Sequence, residues 1–235
     1  MSAPTLYIVA TPIGNLKDIS LRALDVLRSV SLVFAEDTRV TAKLLAAHGI
    51  TVSLAVYHQH SGSQAIQKAI QALRDGQDIA LVSDAGTPGI NDPGGKLVHE
   101  VVQAVPGAAV VPIPGANAAL AALSVSGFPT DSFIYRGFVP HKKGRQTFWK
   151  NIAQEQGTQV FYESKHRIMR ALSELGEVLS EVEQVARPLM VARELTKMHE
   201  TLYRGSATEV RTLLEGDKVL GEFVVVIGPW RATSR

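Results

Sequence analysis

The chain has 235 residues, 46% of them hydrophobic, with a formal net charge of +2 and no cysteine, which excludes a disulfide framework, a thiol nucleophile and a zinc-thiolate centre. No apolar run reaches the roughly 18 residues of a membrane span and no basic-then-apolar signal segment opens the chain, so a cytoplasmic protein is expected. The length suits two α/β domains, placed at 1–127 and 128–235, and so mild a positive charge permits nucleic-acid binding without requiring it.

Leu6 to Ala10 read as a short apolar strand, followed by the loop Thr11-Pro12-Ile13-Gly14-Asn15-Leu16. Ile19, Ala23, Leu24, Leu27 and Val30 then keep helical spacing, with Asp18 or Ser20 as cap. A dinucleotide fingerprint needs three glycines in this loop, and only Gly14 is present, so that reading is rejected. Leu32 to Ala35 form a second strand ending in Glu36-Asp37-Thr38-Arg39, which spacing alone reads equally as a solvated helix start or as part of a site. A third strand, Thr51 to Tyr57, closes on His58-Gln59-His60; without a nearby carboxylate or third ligand, no metal is expected there. Ala65, Ile66, Ala69, Ile70 and Leu73 mark a helix ended by Gly76.

The stretch 78 to 94 is the most informative. Ile79 to Val82 form a continuous apolar run, as in a strand buried on both faces of a parallel sheet. Gly86, Pro88, Gly89, Pro93 and Gly94 then force a sharp turn at the strand's carboxyl end, where open α/β sheets bind ligands. Asp92 with Pro93 predicts a helix start, running to about Val105. Val110 to Ile113 follow as a strand, then Pro114-Gly115-Ala116-Asn117 and a small-residue helix, Ala118 to Ser126, explained equally by a flat ligand or by tight packing.

The turn-forming stretch Gly127 to Asp131 predicts the domain boundary. Phe133 to Phe138 read as a strand, and His141-Lys142-Lys143-Gly144-Arg145 is the densest basic cluster, ahead of a helix to about Gln156. Phe148 and Trp149 follow it, where an aromatic can stack on an unpaired base, although the core is the expected place for both. Val160 to Glu163 run into Ser164-Lys165-His166-Arg167 and a helix to about Leu179, Leu189 to Arg193 run into Glu194-Leu195-Thr196-Lys197, and Phe223 to Ile227 form the last strand.

Seven ordered stretches, LYIVATPIGNLKDIS, AEDTR, LVSDAGTPGINDPG, PIPGANAALAALSVSGFP, FYESKHR, ARELTK and GEFVVVIG, together resemble the bacterial 16S ribosomal RNA 2'-O-ribose methyltransferases. These form the RNA-acting branch of the tetrapyrrole methylase superfamily. The resemblance implies an S-adenosyl-L-methionine-dependent enzyme of two α/β domains with the cofactor in the cleft between them, homodimeric, and methylating a cytidine ribose in the decoding region of the small ribosomal subunit. Carried over by position, it implies Pro12, Ile13, Asp84, Thr87, Ile90, Ala118, Ala119, Tyr162, Ala192 and Glu222 as cofactor-binding residues. Lys165 stands where the family pattern has proline, and Asn117 where it is more often small. Family members often continue past the last strand, whereas this sequence stops at Arg235, so an RNA contact made by such a segment is expected to be made otherwise.

On that resemblance, Asp37, Glu163 or Glu194 is expected as base or hydroxyl orienter, with Lys197 as electrostatic partner, because all three motifs sit at strand ends. RNA contacts are expected from Arg39, His58, His60, Lys142, Lys143, Arg145, Arg167 and Arg193. A tetrapyrrole-acting methyltransferase and a non-catalytic RNA-binding assembly factor are the competing readings. The basic loop at 141 to 145 favours RNA over the first.

Overall fold

The computed structural model describes residues 3–58, 62–217 and 219–230, so Gln59 and the expected RNA contact His60 lie outside the described residues. The chain divides into two compact units, Met1–Asn117 and Ala118–Arg235.

The first unit alternates strand and helix: β1 (Thr5–Val9), α1 (Leu21–Ser29), β2 (Leu32–Ala35), α2 (Thr38–Ala47), β3 (Ser53–Val56), α3 (Gly62–Arg74), β4 (Ile79–Val82), α4 (Gly95–Ala104) and β5 (Ala109–Ile113). The strands pair in the order β3-β2-β4-β1-β5, every pair parallel. Side chains alternate across this sheet. Leu6, Phe34, Ile79 and Leu81 meet Leu73, Leu97 and Val101 on one face, while Val9, Val33, Ala80 and Val82 meet Leu24, Leu27 and Leu45 on the other. With both faces covered, β2 and β4 are buried along their whole length, which is why their sequences are continuous apolar runs.

Local chemistry sets the helix starts. Ser20 accepts the Ala23 N–H to cap α1, and Asp37 accepts the Arg39 N–H to cap α2. The expected start of α4 at Asp92 and Pro93 is corrected: the helix begins at Gly95 with Gly94 as its cap. The backbone folds back on itself there, so that a Cβ on Gly94 would lie 2.9 Å from the Gly89 nitrogen. Asp92 instead takes a hydrogen bond from Ser83.

The second unit comprises α5 (Ala118–Ser126), β6 (Phe133–Phe138), α6 (Arg145–Gln154), β7 (Thr158–Ser164), α7 (Ile168–Glu181), β8 (Leu189–Arg193), β9 (Thr201–Gly205), α8 (Ala207–Glu215) and β10 (Glu222–Ile227). Its sheet has the order β6-β7-β10-β8-β9; β6 and β7 are parallel, and β10 runs antiparallel to both β7 and β8. Phe161, Val191, Phe223 and Val225 pack with Trp149, Leu172 and Val210 from α6, α7 and α8. Val160, Met190, Ala192, Val224 and Val226 pack with Ala119, Ala122 and Leu123 of α5. That packing puts α5 in the second unit, so the contacts divide the chain ahead of the turn at Gly127 expected as the boundary.

Two elements were absent from the sequence expectations. The edge strand β9 is only five residues long. Helix α8 carries a capping box in which Ser206 accepts the Glu209 N–H and Glu209 accepts the Ser206 N–H, a signal readable as Ser206-Ala207-Thr208-Glu209. Trp149 takes its expected core position, with its Nε1 donating to Glu174 at 2.7 Å. No helix among the described residues is long and apolar enough to cross a membrane.

Candidate active site

Since the five strands of the first sheet run the same way, the loops after them open along one edge. Three of these loops are stitched together. Thr11 and Gly86 exchange backbone hydrogen bonds of 2.9 and 3.0 Å, and Thr11 Oγ1 donates to the Ser83 carbonyl at 3.0 Å. Thr87 Oγ1 donates to the Ala116 carbonyl at 3.1 Å. Gly115 lets the β5 loop come this close, since a Cβ there would sit 2.9 Å from that of Ala10. The rim carries Pro12, Ile13, Asp84, Thr87 and Ile90, which are thus brought to one edge, with Ile90 47% exposed.

The same edge gathers carboxylates of different character. Asp37, the cap of α2, is gripped by Arg39 through Nε at 3.0 Å and Nη2 at 2.6 Å, and these hydrogen bonds hold its carboxyl at about 2. Asp84 Oδ1 accepts the Asp37 N–H at 2.9 Å. Burial pushes Asp92 up, the Ser83 hydrogen bond opposes that, and the Asp84 charge adds to it. Burial also pushes Glu36 up, assisted by the charges of Asp92 and Asp84 and opposed by His58. Sequence reasoning passed over Glu36 and used Asp92 as a helix cap. The signal for Glu36 was its place directly after a buried strand. Arg39 is exposed and His58 half-buried at this edge.

In the second unit, strand directions again collect the motifs. The carboxyl ends of β6, β7 and β8 and the start of β10 lie at one end of the sheet, with Ser164 opposite Glu222 and Arg193 opposite Phe223. Side-chain parity then separates them. Tyr162 and Ala192 lie on the α5 face with Ala118 and Ala119, and the Ala119 N–H donates to the Tyr162 hydroxyl at 3.0 Å. Tyr135 and Phe138 each meet the Tyr162 ring edge-on with centroids 5.4 Å apart.

The opposite parity places several of the expected charged residues on the other face. Glu163 is 1% exposed beneath α7, where one oxygen accepts the Ser164 N–H at 2.6 Å and pairs with Arg167 at 2.8 Å. Its other oxygen is buried without a hydrogen-bond partner, and Arg167 is engaged by Glu163 and by the Val139 carbonyl. Arg145 is buried, pairing with Glu174 at 2.7 Å and donating to the Pro140 carbonyl. Arg193 is buried on Asp217 at 2.8 Å and the Leu220 carbonyl. A buried guanidinium needs such partners, and these two arginines have them within the second unit. Lys142 and Lys143 remain exposed.

Glu194, Lys197 and Glu222 do come together. Lys197 Nζ lies 2.9 Å from a carboxylate oxygen of each glutamate, and Glu194 also accepts the Glu222 N–H at 2.9 Å. The loop holding them is strained, with Glu194 at φ 52° and the β-branched Thr196 at φ 64°. Gly221, at φ 97°, is required beside it because a Cβ there would overlap the Glu194 carboxyl. Partial burial pushes Glu194 up, but the Lys197 and Glu222 hydrogen bonds outweigh it and leave it below the usual glutamate range. Burial pulls Lys197 down, and its two glutamate partners outweigh that and leave it raised.

The lowered Glu194 contributes stability above its unfolded pKa near ~4.3, lost as pH falls through the folded value. The raised Lys197 contributes below ~10.4, lost as pH rises through its folded value. Lys197→Met is therefore expected to destabilise the fold by about 1 kcal/mol at pH 7, with the difference from the parent shrinking below about pH 4.3 and above about pH 10.4. Urea unfolding across that range tests this, and a difference independent of pH rejects it. Among the described residues no group of three or more His, Cys, Asp or Glu is placed to hold a metal ion.

The chain matches the model of the Tetrapyrrole (Corrin/Porphyrin) Methylases over residues 5–211. It is 47% identical over 225 residues to the Ribosomal RNA small subunit methyltransferase I of Escherichia coli O157:H7, covering 94% of this chain and 77% of that protein. With the protein of the same name from Bacillus subtilis strain 168 it shares 43% identity over 223 residues, covering 94% and 74%. Among solved structures, uroporphyrin-III-C-methyltransferase from Thermus thermophilus has a TM-score of 0.66 at 21% identity, covering 95% of this chain and 94% of that one. Diphthine synthase has a TM-score of 0.71 at 15% identity, covering 95% and 90%. Likeness at such low identity speaks for the fold alone. With the family model spanning most of the chain and identities of 43 to 47% to named members, the chain belongs to the tetrapyrrole methylase family, in its ribosomal RNA small subunit methyltransferase I branch.

Proposed function

We propose that this protein is an S-adenosylmethionine-dependent methyltransferase that modifies the 2'-oxygen of a cytidine ribose in 16S ribosomal RNA of the small subunit. The observation carrying this reading is the 43 to 47% identity, over at least 94% of the chain, to relatives whose name states that substrate class. S-adenosylmethionine supplies an electrophilic methyl group on a sulfonium. The first-unit rim suits it: Gly and Ala backbone leaves room for an adenosine, and Glu36, Asp84 and Asp92 put negative charge at the edge where a sulfonium cation would lie. Pro12, Ile13, Asp84, Thr87 and Ile90 are the proposed cofactor contacts of the first unit, and Ala118, Ala119, Tyr162, Ala192 and Glu222 those of the second. Ala192 is fully buried, and the exposed Glu222 pairs with Lys197.

Transfer to a hydroxyl requires the oxygen, methyl carbon and sulfur in line, and positioning of that kind is worth about 7 kcal/mol or more. It also requires a group to take the hydroxyl proton. Glu194 remains a candidate orienter with Lys197 as its electrostatic partner, whereas Asp37 is committed to Arg39 and to capping α2.

Incubation of labelled S-adenosylmethionine with unmethylated small subunits is expected to place label on a cytidine 2'-oxygen, read by nuclease mapping. Cofactor binding without any transfer to RNA, with label passing to a tetrapyrrole acceptor supplied in a parallel reaction, overturns the reading. Arg39, His58, Lys142 and Lys143 are the proposed RNA contacts. Replacing Lys142 and Lys143 by alanine is expected to weaken RNA binding across sequences and lower the slope of log affinity against log salt by roughly 1.4 to 1.8. An unchanged slope removes them from the interface. The same reading takes the protein as a homodimer in the cytoplasm. Light scattering should then give twice the 25.3 kDa chain mass, and a monomer mass rejects that part.

A further inference from the structure

Resting on the methyl-transfer reading, we infer that Glu36, the first residue after β2, is the general base that takes the ribose hydroxyl proton. The AEDTR motif offers two adjacent carboxylates, and the structure gives them opposite tasks. Asp37 accepts the Arg39 N–H at 2.8 Å and both of its oxygens are bound to the Arg39 guanidinium. A carboxylate so occupied, held at about 2, has little affinity for a proton. Its neighbours are also engaged: Asp84 caps the Asp37 N–H and Asp92 accepts from Ser83.

Glu36 differs from all three. No hydrogen bond or ion pair among the described residues engages its carboxylate, although the residue is only half exposed. Its charged surroundings are Asp84 and Asp92 from the β4 loop, His58 after β3, and the Asp37–Arg39 pair at the start of α2. Burial and the two aspartates raise its proton affinity, which is the tuning a base near neutral pH needs. Its position is fixed by geometry: the four preceding residues form the fully buried β2, paired on both sides to β3 and β4, so Glu36 emerges at the same edge as the Thr11–Gly86 rim. In the reaction the ribose oxygen bonds to the methyl carbon, sulfur keeps the electron pair of the bond it loses, and the hydroxyl proton ends on the Glu36 carboxylate before passing to solvent.

The test compares the parent protein with Glu36→Gln and Glu36→Asp. Glu36→Gln is expected to lower kcat by roughly 10² to 10⁴-fold while cofactor affinity by calorimetry stays within about threefold, with Glu36→Asp recovering part of the loss. Retention of more than about a third of the parental kcat by Glu36→Gln overturns the proposal, as does a kcat loss matched by an equal loss of cofactor affinity. A second readout needs no turnover. Carbon-13 NMR titration of the free parent protein should show Glu36 ionising above the ordinary glutamate value of ~4.3, and the acid limb of the kcat profile should follow it. Ionisation at or below that value overturns the proposal even where the variants fail to fold. If the parent labels no RNA at all, the methyl-transfer reading itself fails, an outcome distinct from a failure of Glu36.

Discussion

Five parallel strands that point their carboxyl ends the same way must deliver the loops after them to a single edge, and the first unit is built around that constraint. The fully buried strands β2 and β4 carry only apolar side chains, so their polar neighbours stand at the strand ends. Thr11, Ser83, Gly86, Thr87 and Ala116 then bind one another through backbone and hydroxyl groups, which makes the edge a rim of fixed loops. Carboxylates placed on such a rim acquire different properties from small differences in partners. Asp37, with Arg39 on it, is a structural anion. Glu36, one residue earlier, has carboxylates for neighbours.

In the second unit the deciding constraint is the two-residue period of a strand. Tyr162 and Glu163 are adjacent in sequence, yet one joins the α5 face and the other is enclosed beneath α7. The same rule separates Ala192 from Arg193. Arg145, Arg167 and Arg193, expected from the sequence as RNA contacts, and Glu163, expected as a candidate base, are divided among ion pairs and carbonyls at turns and helix ends. Burying such charges is tolerable because each finds an ion-pair partner, although Arg145 Nη2 and Glu163 Oε2 are buried without a hydrogen bond.

Backbone strain marks the remaining cluster. Glu194 and Thr196 both have positive φ, unfavourable for residues with a Cβ, and they are kept there by the Glu194–Lys197–Glu222 bonds and by the Thr196 N–H donated to Glu200 at 2.6 Å. Gly221 is the matching concession across the loop, because any side chain would displace Glu194.

Most of the strand–helix order was legible, because apolar runs such as Ile79–Val82 and spaced faces such as Ile66, Ala69, Ile70 and Leu73 report burial directly. The ordered motifs likewise pointed to the family that the comparisons establish. Edge strand β9 and the start of α4 were not legible: Thr201–Gly205 buries only Tyr203 and lacks an apolar run, and the Gly89–Gly94 contact that sets the helix start is a backbone approach without side-chain signature. The sequence by itself determined where polar groups gather, since strand ends follow from local hydrophobicity and turn chemistry. Which of those groups face a core, which face each other and which remain available depended on tertiary structure. Parity and partners are set by elements far apart in the chain, as with Arg193 and Asp217 or Asp37 and Asp84.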